Sequence, residues 1–488
     1  MALYIFGIGG TGARIIKALT FLMASGVQLA HTNAVIPVLI DPDNSNGDLA
    51  RTLELLRLYK SLRLHTEQNV NKFFGNEMKS LADAAANNTA SEYHFAINGI
   101  GNDRFKDTIE LSSMSRSSQA MTQMLFSEHN LNADMQLGFK GNPNIGSVVL
   151  NRFKDSETFR AFATAFNQDD RIVIIGSIFG GTGAAGLPLL IKNLRDADPS
   201  LPKHELLKNA PIAAISVLPY FDVQEHENVS IDSNTFVSKT KAALNYYAAN
   251  LCKNNSLNAL YYIGDTVANT HKGADGAADQ RNKAHFVELA AAMAIVDFMS
   301  YGKSELTVER GRVLAPKYFE YGLKDETNKI EFQHLGPQTF DVAGKSLTQY
   351  FLFQKFLRDF YTTMPANTAW MKNGNSKLTV DSFNARMLND LHRFNNAFDE
   401  WLAEMEQSST AFKPFNREVK EKDILNAVIG FPEQSSVWNL IEPKGTERFS
   451  KILSKHEEKL SATSSERKLF SLFYLATQEI VKERIKLL

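Results

Sequence analysis

The chain carries the same five residues, GGTGA, twice: at Gly9–Ala13 within YIFGIGGTGARII and at Gly180–Ala184 within IGSIFGGTGAAGL. In both places an apolar, β-branched run precedes the glycines and a helix-like pattern follows, which predicts a buried strand turning tightly into a helix. Glycines let main-chain N–H groups approach an anion closely, and the helix that follows turns the positive end of its dipole to the same spot. Two such turns constrain the fold to a parallel sheet with helices on both faces, whose strand ends gather the turns along one edge.

The rest of the first half fits that frame. Strands are expected at Leu3–Phe6, Val35–Ile40, Arg171–Ile175, Ile212–Leu218 and Ala259–Ile263, and helices at Ala13–Ser25, Leu187–Arg195 and Thr235–Leu251. The alternation predicts an α/β, doubly wound parallel-sheet nucleotide-binding domain. Between Leu53 and Met135 charged and apolar residues repeat at helical spacing, so 53–135 reads as a helical insertion on the rim of the sheet.

After Ser300 the pattern changes. The mixed stretch Leu306–Phe332 supplies one hairpin, and helices follow. Met387, Leu391, Phe394, Phe398, Trp401 and Met405 recur along one helix face, and Leu469, Phe473, Ala476 and Ile480 along another that opens on a capping box, Thr463 to Glu466. Both stripes read as core packing. Stretches rich in turn formers, Met364–Lys377 and Ser408–Asn416, read as linkers. A chain of 488 residues exceeds one ordinary core, so two domains are expected, 1–300 and a mainly α-helical 301–488.

Charge and cysteine usage narrow the function. With 53 Lys and Arg against 54 Asp and Glu, no global field attracts nucleic acid or anionic lipid, and no local basic patch stands out. The single cysteine, Cys252, excludes an internal disulfide framework and a Cys-rich zinc site, and fits a reducing cytoplasm. The apolar run FVELAAAMAIVDFM is interrupted by Glu288 and Asp297 and is too short to span a bilayer, and no secretory leader is read at the start. No metal-ligand cluster is apparent.

The first glycine turn by itself leaves two readings open. Gly7, Gly9 and Gly12 spell G-x-G-x-x-G after a strand, and Asp41 ends the next strand where a dinucleotide fold places its ribose carboxylate, which suits an NAD(P)- or FAD-dependent oxidoreductase. A P-loop is excluded, since Asp297 and Thr339 stand where the leading glycine should precede Gly302-Lys-Ser and Gly344-Lys-Ser. A plain dinucleotide fold has no use for the second GGTGA turn, nor for a third glycine-rich loop at Leu137–Leu150, LGFKGNPNIGSVVL. One nucleotide held between several loops is the economical reading.

At these residues the sequence resembles the tubulin/FtsZ superfamily, most nearly its bacterial tubulin-like proteins, over about Met1–Ser300. FGIGGTGARIIKAL resembles the first phosphate loop of that family, VIPVLIDPDN its second strand and loop, GNPNIGSVV its Asn-Pro loop, IFGGTGAAGLPLL its glycine-rich signature, and ISVLPYFDVQ the strand and loop beside the ribose. The resemblance implies bound GTP or GDP, with Mg2+ as a companion. Its phosphates would be held by Gly9, Gly10, Thr11 and Gly12, by Lys140, Gly141 and Asn142, and by Gly180, Gly181, Thr182, Gly183 and Ala184. Asp41 joins the nucleotide site, Asp265 reads the base where the family carries an Asn, and Asn282 contacts the base from the start of a central helix at about 280–300. A carboxylate at 265 accepts both N1–H and N2–H of guanine and predicts GTP over ATP.

Three positions depart from the family pattern. Arg14 replaces its Asn after the first loop and would add a positive charge near the phosphates. Asn144 replaces its Glu after Asn-Pro, and the acidic loop after the central helix survives only as Asp297-Phe298, which makes Asp297 the catalytic candidate. The expected function is that of a cytoplasmic GTP-binding protein and slow GTPase, its site completed by a second subunit. Its nucleotide state would control assembly into an oligomer or filament, or contact with a protein partner through the C-terminal helices. A non-hydrolysing, nucleotide-bound scaffold is a further alternative.

Overall fold

In the computed structural model of the protein, residues 1–43, 46–86, 92–95, 104–135, 139, 142–220, 222–223, 233–265, 270–271, 282–321, 329–361, 368–372, 376–379, 382–430 and 445–484 are described. Their core is a six-stranded, wholly parallel sheet formed by β1 (Ala2–Ile8), β2 (Ala34–Ile40), β3 (Arg171–Ser177), β4 (Ile212–Val217), β5 (Ala259–Ile263) and β6 (Lys317–Tyr321). The spatial order is β6-β5-β4-β3-β1-β2. Strands β2, β3 and β4 are buried along their whole length, because helices cover both faces.

Pro37 sits inside β2 without breaking a ladder. Val35 and Leu39 turn their N–H groups outward to the carbonyls of Glu77 and Tyr93, and Pro37, which shares their side of the strand, falls in the gap between those two bridges. The segments at Glu77 and Tyr93 therefore lie along the outer edge of β2.

Helix α1 (Gly9–Ala24) is buried on every side from Thr11 to Ala24. It lies between the sheet and a helix of the second half, α7 (Ala385–Glu406), and its Phe21 ring meets Trp401 at 4.9 Å and Phe394 and Phe398 at 5.5 Å. The whole predicted stripe of α7 is buried. Further down the same seam, Phe73 and Phe74 pack on Tyr350 and Phe353 of α6 (Lys345–Asp359) and on Phe470 and Tyr474 of α8 (Ser465–Arg484). One apolar core joins both halves of the chain.

This corrects the expected organisation in three places. The boundary at 300 falls ahead of β6, the sixth strand of the sheet, and the expected hairpin is only the short pair Val308–Glu309 and Arg312–Val313. The supposed linkers are packed structure: Trp370 is fully buried, and Ala411–Phe412 pairs with Lys329–Ile330. Helix α8 is capped by Ser464, whose Oγ accepts from Arg467 N–H, while the Glu466 carboxylate reaches across to Asn384 N–H at the start of α7. The helical character of 301–488 stands.

Candidate functional site

The strand order reverses between β1 and β3, which lie side by side. From β1 the chain winds outward to β2; from β3 it winds the other way to β4, β5 and β6. At such a reversal the turns after the two strands diverge to opposite faces and leave a crevice beyond the strand ends. Both GGTGA stretches are those two turns. The first opens α1, and the second opens α4 (Gly181–Arg195).

The two turns are built alike. Gly12 presses on the end of β1, where a Cβ would lie 2.5 Å from the Gly7 carbonyl carbon, and Gly183 presses on the end of β3, where a Cβ would lie 2.7 Å from Ser177 N. Neither position can take a side chain. Gly9 has φ +71°, and a Cβ built on it would lie 3.6 Å from Thr182 Cβ, so the turns touch across the crevice. The third loop joins them: α3 (Pro143–Leu150) packs on α4 so closely that a Cβ on Gly146 would meet Gly181 O at 3.0 Å.

The turns also share an electrostatic character. Helices α2 (Gly47–Arg63), α3 and α7 and the helix Glu157–Ala165 all have their first N–H groups capped by a side chain, from Asn46, Asn142, Asn384 and Ser156. Helices α1 and α4 have no side-chain cap. Two uncapped helix N-termini thus flank one crevice, each with orphan N–H donors and the positive end of a dipole. The arrangement is suited to a phosphate chain.

No protein-family model and no curated protein matches the chain. Similar solved structures include CetZ from Methanosaeta thermophila strain DSM 6194, at 16% identity and TM-score 0.24 over 61% of this chain and 51% of that one. CetZ2 from Haloferax volcanii in a GTPγS-bound protofilament is 11% identical at TM-score 0.31, over 62% and 61%. A helical model of the TubZ-Bt two-stranded filament is 11% identical at TM-score 0.28, over 84% and 79%. The chain spans 51% and 61% of the length of the first two. At such TM-scores these likenesses add no weight to the strand order and the three converging turns. The fold itself is a doubly wound parallel sheet with both glycine turns at its strand-order reversal.

Within this fold only some of the sequence-predicted residues come together. Gly9, Gly10, Thr11, Gly12, Gly180, Gly181, Thr182, Gly183 and Ala184 form the two facing turns. Asn142 adjoins them, but its N–H closes a turn onto Phe139 O at 2.7 Å and its Oδ1 caps α3 by accepting from Asn144 and Ile145 N–H. Both groups are engaged within the loop. Lys140 and Gly141 lie outside the described residues.

Arg14 does not face the crevice. Its guanidinium is buried under the first turn, where Nε donates to Glu288 at 2.5 Å, Nη1 to Asp48 at 2.6 Å and Nη2 to the Tyr220 hydroxyl at 2.8 Å. Tyr220 in turn donates to Glu288 at 3.1 Å. Burial alone would lower the Arg14 pKa, but Tyr220, Glu288 and Asp48 around it raise it well above its ordinary value. Burial pushes the Glu288 carboxyl up, against the pull of Arg14 and Lys17. The expected extra charge at the phosphates is thus neutralised in a structural network, a correction that follows from two carboxylates lying within 2.6 Å of the buried guanidinium.

Asp41 ends β2 and is buried, with its carboxylate accepting from Asp43 N–H at 3.0 Å and from Asn46 Nδ2 at 3.3 Å. Burial, with Asp43 and Asp48 nearby, pushes its pKa up to about 7. Asp265 follows β5, its carboxylate 3.6 Å from His285 Nε2, and both side chains are 3% exposed. His285 Nδ1 accepts from Val287 N–H and so caps α5 (Phe286–Ser300), which puts the neutral ring's proton on Nε2, toward Asp265. Asn282 lies just ahead, with Nδ2 donating to Asp48 at 3.3 Å.

Asp297 stands apart. It is on the last turns of α5, exposed, and accepts from the hydroxyls of Tyr261 at 2.6 Å and Tyr301 at 3.1 Å. The same helix end is held by Arg171, the first residue of β3, through the carbonyls of Phe298, Met299 and Tyr301. The glycine turn lies past the other end of β3, roughly 20 Å away for a strand of that length. A catalytic Asp297 acting within its own chain is therefore ruled out.

Sequence reasoning missed Asp48, Arg51, Tyr220, His285 and Glu404, and noted Glu288 only as a charge interrupting an apolar run. No spacing signal marks the set, because it is drawn from α2, the loop after β4, the start of α5 and the end of α7, and only the fold brings these together. Among the described residues, no group of three or more His, Cys, Asp or Glu could hold a metal ion, and no helix is long and apolar enough to cross a membrane.

Proposed function

We propose that the crevice between the two GGTGA turns binds one guanine nucleotide per chain and that the protein is a slow GTPase whose nucleotide state governs self-assembly. The observation that carries the reading is the pair of uncapped helix N-termini meeting at Gly9 and Thr182. Those donors suit the phosphates, Asp265 and Asn282 suit the base edge, and Asp41 at the end of β2 is a further nucleotide contact on this reading. Any Mg2+ would arrive with the triphosphate. With Asp297 exposed at the opposite pole, hydrolysis requires a second copy that presents its Asp297 to this crevice, which ties turnover to association. A head-to-tail oligomer in the cytoplasm is the expected working form, because only such an arrangement brings one chain's Asp297 to another chain's crevice.

Chromatography of the nucleotide released from purified protein tests this reading. GDP or GTP is expected, and NAD, NADP or a flavin would overturn it in favour of an oxidoreductase. Gly183→Val, an obvious variant for separating the two, is unsuitable because its side chain would strike Ser177 N.

A further inference from the structure

The segment ahead of α5, residues 282–285, carries Asn282 and His285 to the rim of the crevice, yet its anchors come mostly from elsewhere in the chain. Ala284 N–H donates to Glu404 Oε2 at 2.9 Å. Arg51 Nη1 donates to Glu404 Oε1 at 2.9 Å, while Arg51 Nη2 donates to Asn282 O at 2.8 Å and to Asp48 at 2.7 Å. Lys17 lies 3.5 Å from the same Glu404 carboxylate, and Lys283 donates to Gln407 at 3.0 Å. Glu404 is on the last turn of α7, in the second half of the chain, and its side chain is 13% exposed. It is the one carboxylate among these contacts that grips both the main chain of the segment and the arginine that holds Asn282.

We infer that Glu404 is a positioning residue of the nucleotide site: it fixes the 282–285 segment against the base, so that base selectivity depends on a helix of the C-terminal half. The inference rests on the reading that the crevice takes a guanine nucleotide. Without Glu404, Ala284 N–H loses its acceptor, and Lys17 and Arg51 are left facing one another with only Asp48 and the Arg14-bound Glu288 as nearby anions. The segment then drifts by a fraction of an ångström to an ångström, enough to misalign hydrogen bonds to a base edge but not the glycine turns that hold phosphate. The defect falls on base recognition.

The test compares GDP with IDP, whose base lacks the 2-amino group, by equilibrium titration of the full chain and three variants. Glu404→Ala removes the carboxylate, Glu404→Asp keeps the charge but shortens the reach, and Glu404→Gln keeps an acceptor at full length. Wild type is expected to prefer GDP. In Glu404→Ala and Glu404→Asp that preference falls roughly tenfold while IDP affinity changes little, and Glu404→Gln retains most of it. If Glu404→Ala does not fold, Glu404→Asp against Glu404→Gln carries the comparison. Equal losses for GDP and IDP, or no loss, would overturn the inference. Failure of the wild type to bind either nucleotide would overturn the reading of the crevice instead.

Discussion

Arg14 Nε and Glu288 Oε1 stand 2.5 Å apart beneath the first glycine turn, both side chains almost wholly shielded from water. The pair ties α1 to α5, and through Asp48 and Tyr220 it reaches α2 and the loop after β4. Charges withdrawn from water in this way are costly to separate. Removing one partner leaves the other buried and unpaired, at about 3–5 kcal/mol. Urea unfolding should therefore show Glu288→Met destabilised by about that amount. Arg14→Met should lose more, since it strands two carboxylates, although Asp48 keeps Arg51 at 2.7 Å. Equal, small losses would show the network to be incidental.

Asp41 predicts a pH dependence. Its folded pKa, pushed by burial to about 7, exceeds the ordinary 3.8. Below pH about 4 the carboxyl is protonated in folded and unfolded chains alike. Between there and pH 7 the unfolded chain has released its proton and the folded chain has not, so stability falls as pH rises; above that the loss is constant. The difference is worth roughly 4 kcal/mol. Asp41→Asn removes it, so the stability of the nucleotide-free variant relative to wild type should climb between pH 4.5 and 8. Parallel pH profiles would contradict the burial argument.

Much of the fold was legible because strands covered on both faces read as unbroken apolar runs: β1 to β5 lie within two residues of their expected ends at every boundary. Strand β6 was not, since KYFEY at a sheet edge stays largely exposed and carries charges that give no such run. The face of α7 was legible in its three- and four-residue spacing, but its partner was not; nothing in a stripe says that Phe21 lies beneath Trp401. The glycine turns announced themselves by composition. The layer under them did not, because Asp48, Tyr220, Glu288 and Glu404 each look, one at a time, like a solvated or capping residue.

Asp297 separates binding from turnover. Asp297→Asn should leave the affinity for GTP within about twofold, because the residue is remote from the crevice of its own chain. It should lower phosphate release at high protein concentration by at least about tenfold, the scale of a lost general base or water-orienting carboxylate. Turnover that is independent of protein concentration, or indifferent to this substitution, would remove Asp297 from the chemistry.

Thr182 is the second residue of α4, where an acidic side chain favours the helix and competes with a bound anion. Thr182→Asp should keep or raise the thermal midpoint of the nucleotide-free protein while weakening GDP binding by more than about tenfold. Unchanged GDP affinity in a folded variant would place the phosphates elsewhere.

Calorimetric titration of nucleotide-free protein with GDP tests the central claim most directly, because two glycine turns can make one site or two. A single nucleotide per chain is predicted, lost in Thr182→Asp. Two nucleotides per chain, or none, would contradict a phosphate chain shared between Gly9 and Thr182.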